Sequence, residues 1–227
     1  MRHVLFYGAC YNTAMTATPF ETETRRLERL CEYERAFYDT GLRYVAGVDE
    51  VGRGPLAGPV LACAVILPTD ARIRGIDDSK RLSPKKREAL AELIRETAVS
   101  IGVGSVDEKT IDEINILQAT REAMRRAVAV LSVTPEAALI DGNDLPGLPE
   151  PIISRAVVKG DRLSQSVAAA SVIAKTTRDR IMIAYHEIYP EYGFDANKGY
   201  GTPKHIEAIR RYGLCPIHRR SFCRSLR

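Results

Sequence analysis

Past Arg43 the chain alternates short apolar runs with Gly, Pro and Ser punctuation, and the period of each run predicts its element. Runs with β-branched residues at 44–49, 61–67, 100–105, 138–141 and 152–158 have strand length. Helical spacing alternates with the later ones. Ser83 followed by Pro84 reads as a cap and first-turn proline for a helix running to about Ala98. Ser105 with Glu108 reads as a capping box for a second helix, and Leu117, Met124, Val128 and Leu131 mark one face of a third. Between 164 and 188, Val167, Ala170, Ser171, Ala174, Ile181, Tyr185 and Ile188 fall on one stripe, with small residues near its start that let this end approach a sheet closely. Three early strands joined by short turns, then alternating helices and strands, predict an α/β fold in which a mixed sheet is flanked by helices. Upstream, a charged helix is expected at 21–38, ended by Gly41, within an N-terminal helical segment 21–42. Residues 1–20 lack a pattern and are expected to be variable or disordered, with Met15 as a second plausible start.

At 227 residues, 45% hydrophobic and 27% charged, the chain suits one globular domain with a full core or a domain plus an appendage. The longest apolar runs, 61–67 and 167–174, fall far short of the roughly 20 residues that a membrane-spanning helix needs. Arg2 and His3 precede an apolar start that Gly8, Asn12 and Thr13 interrupt, too short for a secretory signal, so a cytoplasmic location is expected. Cysteines at 10, 31, 63, 215 and 223 are odd in number and contain no Cys-x-x-Cys pair, which predicts free thiols in a reducing compartment. Cys215, His218 and Cys223 lack a clear fourth ligand and are not read as a zinc site. The net charge is +4, and residues 202–227 carry seven Lys/Arg against one acid whereas residues 1–43 carry six against six. That C-terminal excess is either a phosphate-facing surface or a solubilising segment; composition leaves both open.

Four acids sit where strands end or turns begin. Asp49 and Glu50 follow an apolar strand, and burying unpaired carboxylates costs several kcal/mol unless a cation compensates. Regular alternation sends adjacent strand residues to opposite faces, so both serve one site only if the chain bends just there, and Gly52-Arg53-Gly54 can supply the bend. A plain turn is the competing reading. Asp141 ends a buried run before Gly142, at the sheet edge where α/β folds gather ligands. Asp161 follows Lys159-Gly160 just ahead of the long helix, where an ordinary N-cap is the alternative.

The stretch from Gly47 to Val60, reading GVDEVGRGPLAGPV, resembles the opening signature of the bacterial ribonuclease HII family, the type 2 ribonucleases H. Asp78-Ser79-Lys80, Asp141-Gly142-Asn143, Lys159-Gly160-Asp161, Ala169-Ala170-Ser171, Ala174-Lys175, Arg178-Asp179-Arg180, Lys198-Gly199-Tyr200-Gly201-Thr202 and Pro216-Ile217-His218-Arg219 match that family in order. The resemblance implies a ribonuclease H-like catalytic domain over 43–222, with a C-terminal helical part and a tail at 223–227. It also implies an endonuclease that hydrolyses the RNA strand of RNA/DNA hybrids, including ribonucleotides embedded in duplex DNA, as in ribonucleotide excision. Its catalytic and metal-binding carboxylates are then Asp49, Glu50, Asp141 and Asp161, holding Mn²⁺ or Mg²⁺. Two ions about 4 Å apart would activate a water and steady the leaving oxygen, giving 3′-hydroxyl and 5′-phosphate ends.

Gly52, Arg53 and Gly54 would read the ribose 2′-hydroxyl, and Tyr200 would stack near the RNA-to-DNA junction. Ser79 and Lys80 resemble phosphate contacts, as Lys175 and Arg219 do less closely. Asp179 is spaced for an intrahelical ion pair with Lys175. No chemistry is assigned to residues 1–42, which are too short for the separate substrate-binding domain of ribonuclease HIII. The expected partner is nucleic acid, with no membrane and a monomeric chain. Two readings compete: another metal-dependent nuclease of ribonuclease H-like fold, against which the Gly-Arg-Gly turn and Tyr200 argue, and a catalytically silent hybrid-binding module, which would tend to lose a metal carboxylate.

Overall fold

A computed structural model describes residues 19–226; residues 1–18, with Cys10 and Met15, and Arg227 lie outside the described residues. Five strands, β1 (Val45–Val51), β2 (Val60–Ile66), β3 (Ser100–Val106), β4 (Ala137–Asp141) and β5 (Ile153–Val157), form one sheet in the order β3-β2-β1-β4-β5. The meander β1-β2-β3 is antiparallel, while β1, β4 and β5 run parallel. All five predicted strands are present.

Helices cover both faces. β2 is buried throughout, and alternation sends Cys63 and Val65 toward α3 (Pro84–Thr97) and α6 (Gln165–Ile188), but Ala62 and Ala64 toward α4 (Glu108–Ala129). The start of α6 presses so closely on β1 that a Cβ at Gly47 would lie 2.0 Å from the Ser166 carbonyl carbon. The absence of a side chain at Gly47 makes that approach possible. Residues 165–174 of this helix are buried all round, so the expected single stripe gives way to a helix threaded through the core. Further on, the buried side passes to Thr176, Arg178 and Met182, leaving Ile188 exposed, because a second small core forms there.

α4 departs from the capping-box expectation. Ser105 is paired in β3, and the cap is Asp107, whose carboxylate accepts from Thr110 N at 2.8 Å. Asn115, at φ +67, then breaks the helix and restarts it, its Oδ1 accepting from Leu117 and Gln118 amides. The two predicted helices are thus halves of α4. Leu117 faces outward, because Ala119, Ala123 and Ala127 make the close contact with the sheet.

The N-terminal helix comprises α1 (Pro19–Leu30) and α2 (Glu32–Tyr38), with a break at Cys31. Downstream, α5 (Gly160–Leu163) precedes α6, and α7 (Phe194–Asn197) and α8 (Pro203–Tyr212) enclose a core of Ala57, Met182, Tyr192, Phe194, Ile209 and Ile217. The C-terminal basic segment is therefore no detached tail, since Ile217, His218, Arg219 and Cys223 are all buried. Among the described residues, cysteines 31, 63 and 215 are free thiols, and no helix is long and apolar enough to cross a membrane.

Candidate active site

β1 and β4 pair from Val45 and Ala137 to Val48 and Ile140; β4 then ends at Asp141 and turns at Gly142, which has φ +96°. β1 runs on through Asp49, Glu50 and Val51, paired on its other side with β2. The expected bend between Asp49 and Glu50 is absent, as pairing stays regular to Val51 and the turn begins at Gly52 (φ +92°). What brings the acids together is the early end of β4. It leaves a notch into which Asp49 projects from the α6 face and Glu50 from the α4 face, beside Asp141. One carboxylate oxygen from each of the three lies within 4.8 Å of the others.

The surroundings hold each acid differently. Asp49 is 6% exposed and accepts from Glu50 N at 2.7 Å. Burial, reinforced by the charges of Glu50 and Asp141, holds its carboxyl well above the usual range. Burial likewise raises Glu50, against the opposing pull of Arg53, whose Nη1 lies 3.4 Å from Glu50 Oε1. Asp141 Oδ1 accepts from Gly160 N at 2.6 Å, and a Cβ at Gly160 would stand 3.3 Å from that oxygen. Asp161, buried in α5, is pushed up to about 6 by desolvation and then by Asp141 and Asp78. It lies outside the tight trio. It does not cap α6 either, since Ser164 does so by accepting from Val167 N at 3.2 Å.

A cleft of about 470 Å³ opens from Asp49 and Glu50, lined by Gly52, Arg53, Gly54, Ser79, Lys80, Ser171, Lys175 and Tyr200. Every residue the sequence suggested for substrate contact lines it except Arg219. That side chain is fully buried and donates to the carbonyls of Gly52 at 2.6 Å, Arg53 at 3.0 Å and Gly58 at 2.7 and 2.9 Å. Arg219 is a strut behind the turn, so the expected phosphate contact is corrected: its donors are consumed by backbone. Arg178, equally buried, ties the carbonyls of Ala57, Pro59 and Lys198. At Gly52 a Cβ would lie 2.3 Å from Arg178 Nε, so both the positive φ and the packed guanidinium demand glycine. Asp179 pairs with Lys175 at 2.7 Å, as its spacing predicts, and with Arg87 at 3.6 Å.

Sequence reasoning missed several supports. Ser79 is held by Ser171 Oγ at 2.9 Å and, through its carbonyl, by Arg87 Nε at 2.9 Å. Asp78, nearly inaccessible, pairs with Arg162 at 2.9 Å and joins this loop to α5. From α1, Glu23 accepts from Gly75 N at 2.8 Å and Arg26 donates to Ile76 O at 2.8 Å. From α2, Glu34 Oε1 accepts from Ser164 Oγ, Ser166 N and Ser166 Oγ at the start of α6. All but the Arg87–Ser79 contact join residues 50 or more apart in sequence, which no local pattern encodes.

The Ribonuclease HII family model matches residues 46–225. The chain is 57% identical over 198 residues to ribonuclease HII of Geobacillus kaustophilus, covering 87% of this chain and 75% of the relative. It is 52% identical over 202 residues to ribonuclease HII of Caldanaerobacter subterraneus, covering 89% and 83%. Among solved structures, ribonuclease H2 from Pyrococcus horikoshii superposes with a TM-score of 0.69 at 32% identity, over 81% of this chain and 96% of that one.

Proposed function

Because the chain belongs to the ribonuclease HII family, a family of RNA/DNA-directed ribonuclease H hydrolases, we propose that it also cuts at single ribonucleotides embedded in duplex DNA. In this reading Asp49, Glu50, Asp141 and Asp161 are the catalytic and metal-binding residues. The observation that carries it is the carboxylate trio at the head of a cleft lined by the Gly-Arg-Gly turn, Ser79, Lys80 and Tyr200.

The donor set fits a divalent metal. Clustered carboxylate oxygens are the ligands that Mg²⁺ and Mn²⁺ prefer, and Asp49, whose protonation burial and two like charges favour, is relieved by a cation. When bound, such ions supply water activation and charge stabilisation for an in-line displacement that leaves 3′-hydroxyl and 5′-phosphate ends. The protein's own residues do the rest. Arg219 draws the Gly52 and Arg53 carbonyls inward, so the turn is free to present backbone amides to a ribose 2′-hydroxyl. Lys80 and Ser79 border the cleft where a phosphate would fix register, and Tyr200 offers a ring for a base or sugar at the junction. We read the working unit as a monomer, and the cysteine pattern supports a cytoplasmic setting.

Asp49→Asn and Asp141→Asn test the assignment, each removing a charged ligand at constant volume. Neither should cleave a hybrid, while hybrid binding stays within about tenfold of wild type. Turnover near wild type by either variant at saturating metal would end this reading.

A further inference from the structure

Behind Tyr200 lies a pair of histidines that the proposed chemistry does not use. His205, on α8, is fully buried, and His218, in the C-terminal segment, is 3% exposed. Their Nε2 atoms stand 3.1 Å apart, His205 Nδ1 lies 2.8 Å from the Tyr200 carbonyl, and Cys215 N lies 3.0 Å from His218 Nδ1.

The two ends fix every proton between them. A backbone amide can only donate, so His218 Nδ1 accepts from Cys215 N, and the neutral ring then carries its proton on Nε2. That proton points at His205 Nε2, which must accept. The proton of His205 therefore sits on Nδ1 and is donated to the Tyr200 carbonyl, which can only accept. The opposite tautomers fail at both ends: His218 Nδ1–H would face the Cys215 amide, with only the Cys215 carbonyl at 3.3 Å and the weakly accepting Cys215 Sγ at 3.0 Å to receive it, whereas an unprotonated Nδ1 accepts from the amide and can also accept from the thiol; and a His205 lone pair would face the Tyr200 oxygen. The same C-terminal segment braces Tyr200 from its other flank: His218 bridges Ala57, and Leu56 N donates to Gly199 O at 2.8 Å.

We propose that His205 and His218 are positioning residues, a proton-ordered pair of neutral imidazoles that sets the backbone of Tyr200 and so the placement of its ring in the cleft. This rests on the role given to Tyr200 above. A pair that merely fills the core would affect all substrates alike.

Two measurements decide it. Imidazole ¹⁵N spectra of the full chain at neutral pH should show His205 as the Nδ1–H tautomer and His218 as the Nε2–H tautomer. Two like tautomers, or either ring cationic, overturns the pairing regardless of any activity. In kinetics, His205→Asn keeps a donor near Nδ1, whereas His205→Gln keeps only a group near Nε2. His205→Gln should lose about fivefold or more at a single embedded ribonucleotide, with a smaller loss on a long hybrid, because a misplaced ring forfeits its stacking. His205→Asn should recover most of this. In a Tyr200→Ala background, His205→Gln should have no further effect. Losses that add fully to Tyr200→Ala, or equal losses on the two substrates, overturn the positioning role. If Tyr200→Ala itself fails to discriminate the substrates, the Tyr200 reading falls, and the spectra alone still judge the pair.

Discussion

Arg219→Lys separates a strut from a phosphate contact, because it preserves the charge and removes the planar fork. The guanidinium reaches three carbonyls, those of Gly52 and Gly58, which are buried, and that of Arg53. A lysine ammonium is a single point on a flexible stem and cannot span all three. Leaving a buried polar group unpaired costs about 1–3 kcal/mol, so two abandoned carbonyls, partly recovered by water near the cleft, give an expected loss of about 3 kcal/mol. In a domain of this size, a loss of about 3 kcal/mol lowers Tm by roughly 6–12 °C. Thermal melts and hybrid-binding isotherms over a salt series test this together. A strut predicts the lower Tm with the salt slope of binding unchanged. A phosphate contact predicts a lysine variant that melts like wild type, with Arg219→Ala shedding about one unit of log–log salt slope. The second pattern would refute the structural assignment.

Other outcomes follow from the same contacts. Glu34→Ala should cost about 1–3 kcal/mol in urea unfolding, because the start of α6 loses its carboxylate acceptor; an unchanged midpoint would show that the N-terminal helices do not brace the core. In metal-free protein, Asp161 has a folded pKa of about 6 against an ordinary value of 3.8, so the folded state binds its proton more tightly. Stability should therefore fall as pH rises through that window, with Asp49 and Glu50 shifted in the same direction, and melts at stepped pH read the slope. Mg²⁺ or Mn²⁺ at pH 7 should raise Tm, and a metal shift undiminished in Asp141→Asn would argue against the trio as the metal site. Tyr200→Ala should lose roughly tenfold or more at a single ribonucleotide and less on a uniform hybrid, whereas Arg53→Ala should impair both; cleavage efficiencies of the two variants on the two duplexes compare them.

The fold was largely legible because its elements are locally signalled. Ser83-Pro84 marks the start of α3, and the apolar runs mark the strands. The site was legible for a similar reason, since Asp49, Glu50 and Asp141 end strands that apolar patterning reveals. What escaped was set by contacts distant in sequence. Whether Asp49 and Glu50 could meet depended on where β4 stops relative to β1, a matter of inter-strand register. Arg219 resembled a phosphate contact and Arg178 suggested no role, because nothing local shows that the carbonyls of residues 52–59 would surround them. Asp107 took the cap from Ser105 because β3 continues to Val106 and holds Ser105 against Leu61. Glu34 looked like one more charge on a solvated helix, although it accepts from Ser164 and Ser166, about 130 residues away.

The most direct test of function is cleavage of an end-labelled DNA duplex containing one ribonucleotide, with and without Mg²⁺ or Mn²⁺, beside all-DNA and all-RNA duplexes. Metal-dependent cutting at the ribonucleotide, leaving 3′-hydroxyl and 5′-phosphate ends and sparing both controls, is the predicted result. Cutting without metal, equal cutting of the all-RNA duplex, or an intact ribonucleotide strand at saturating metal would contradict it.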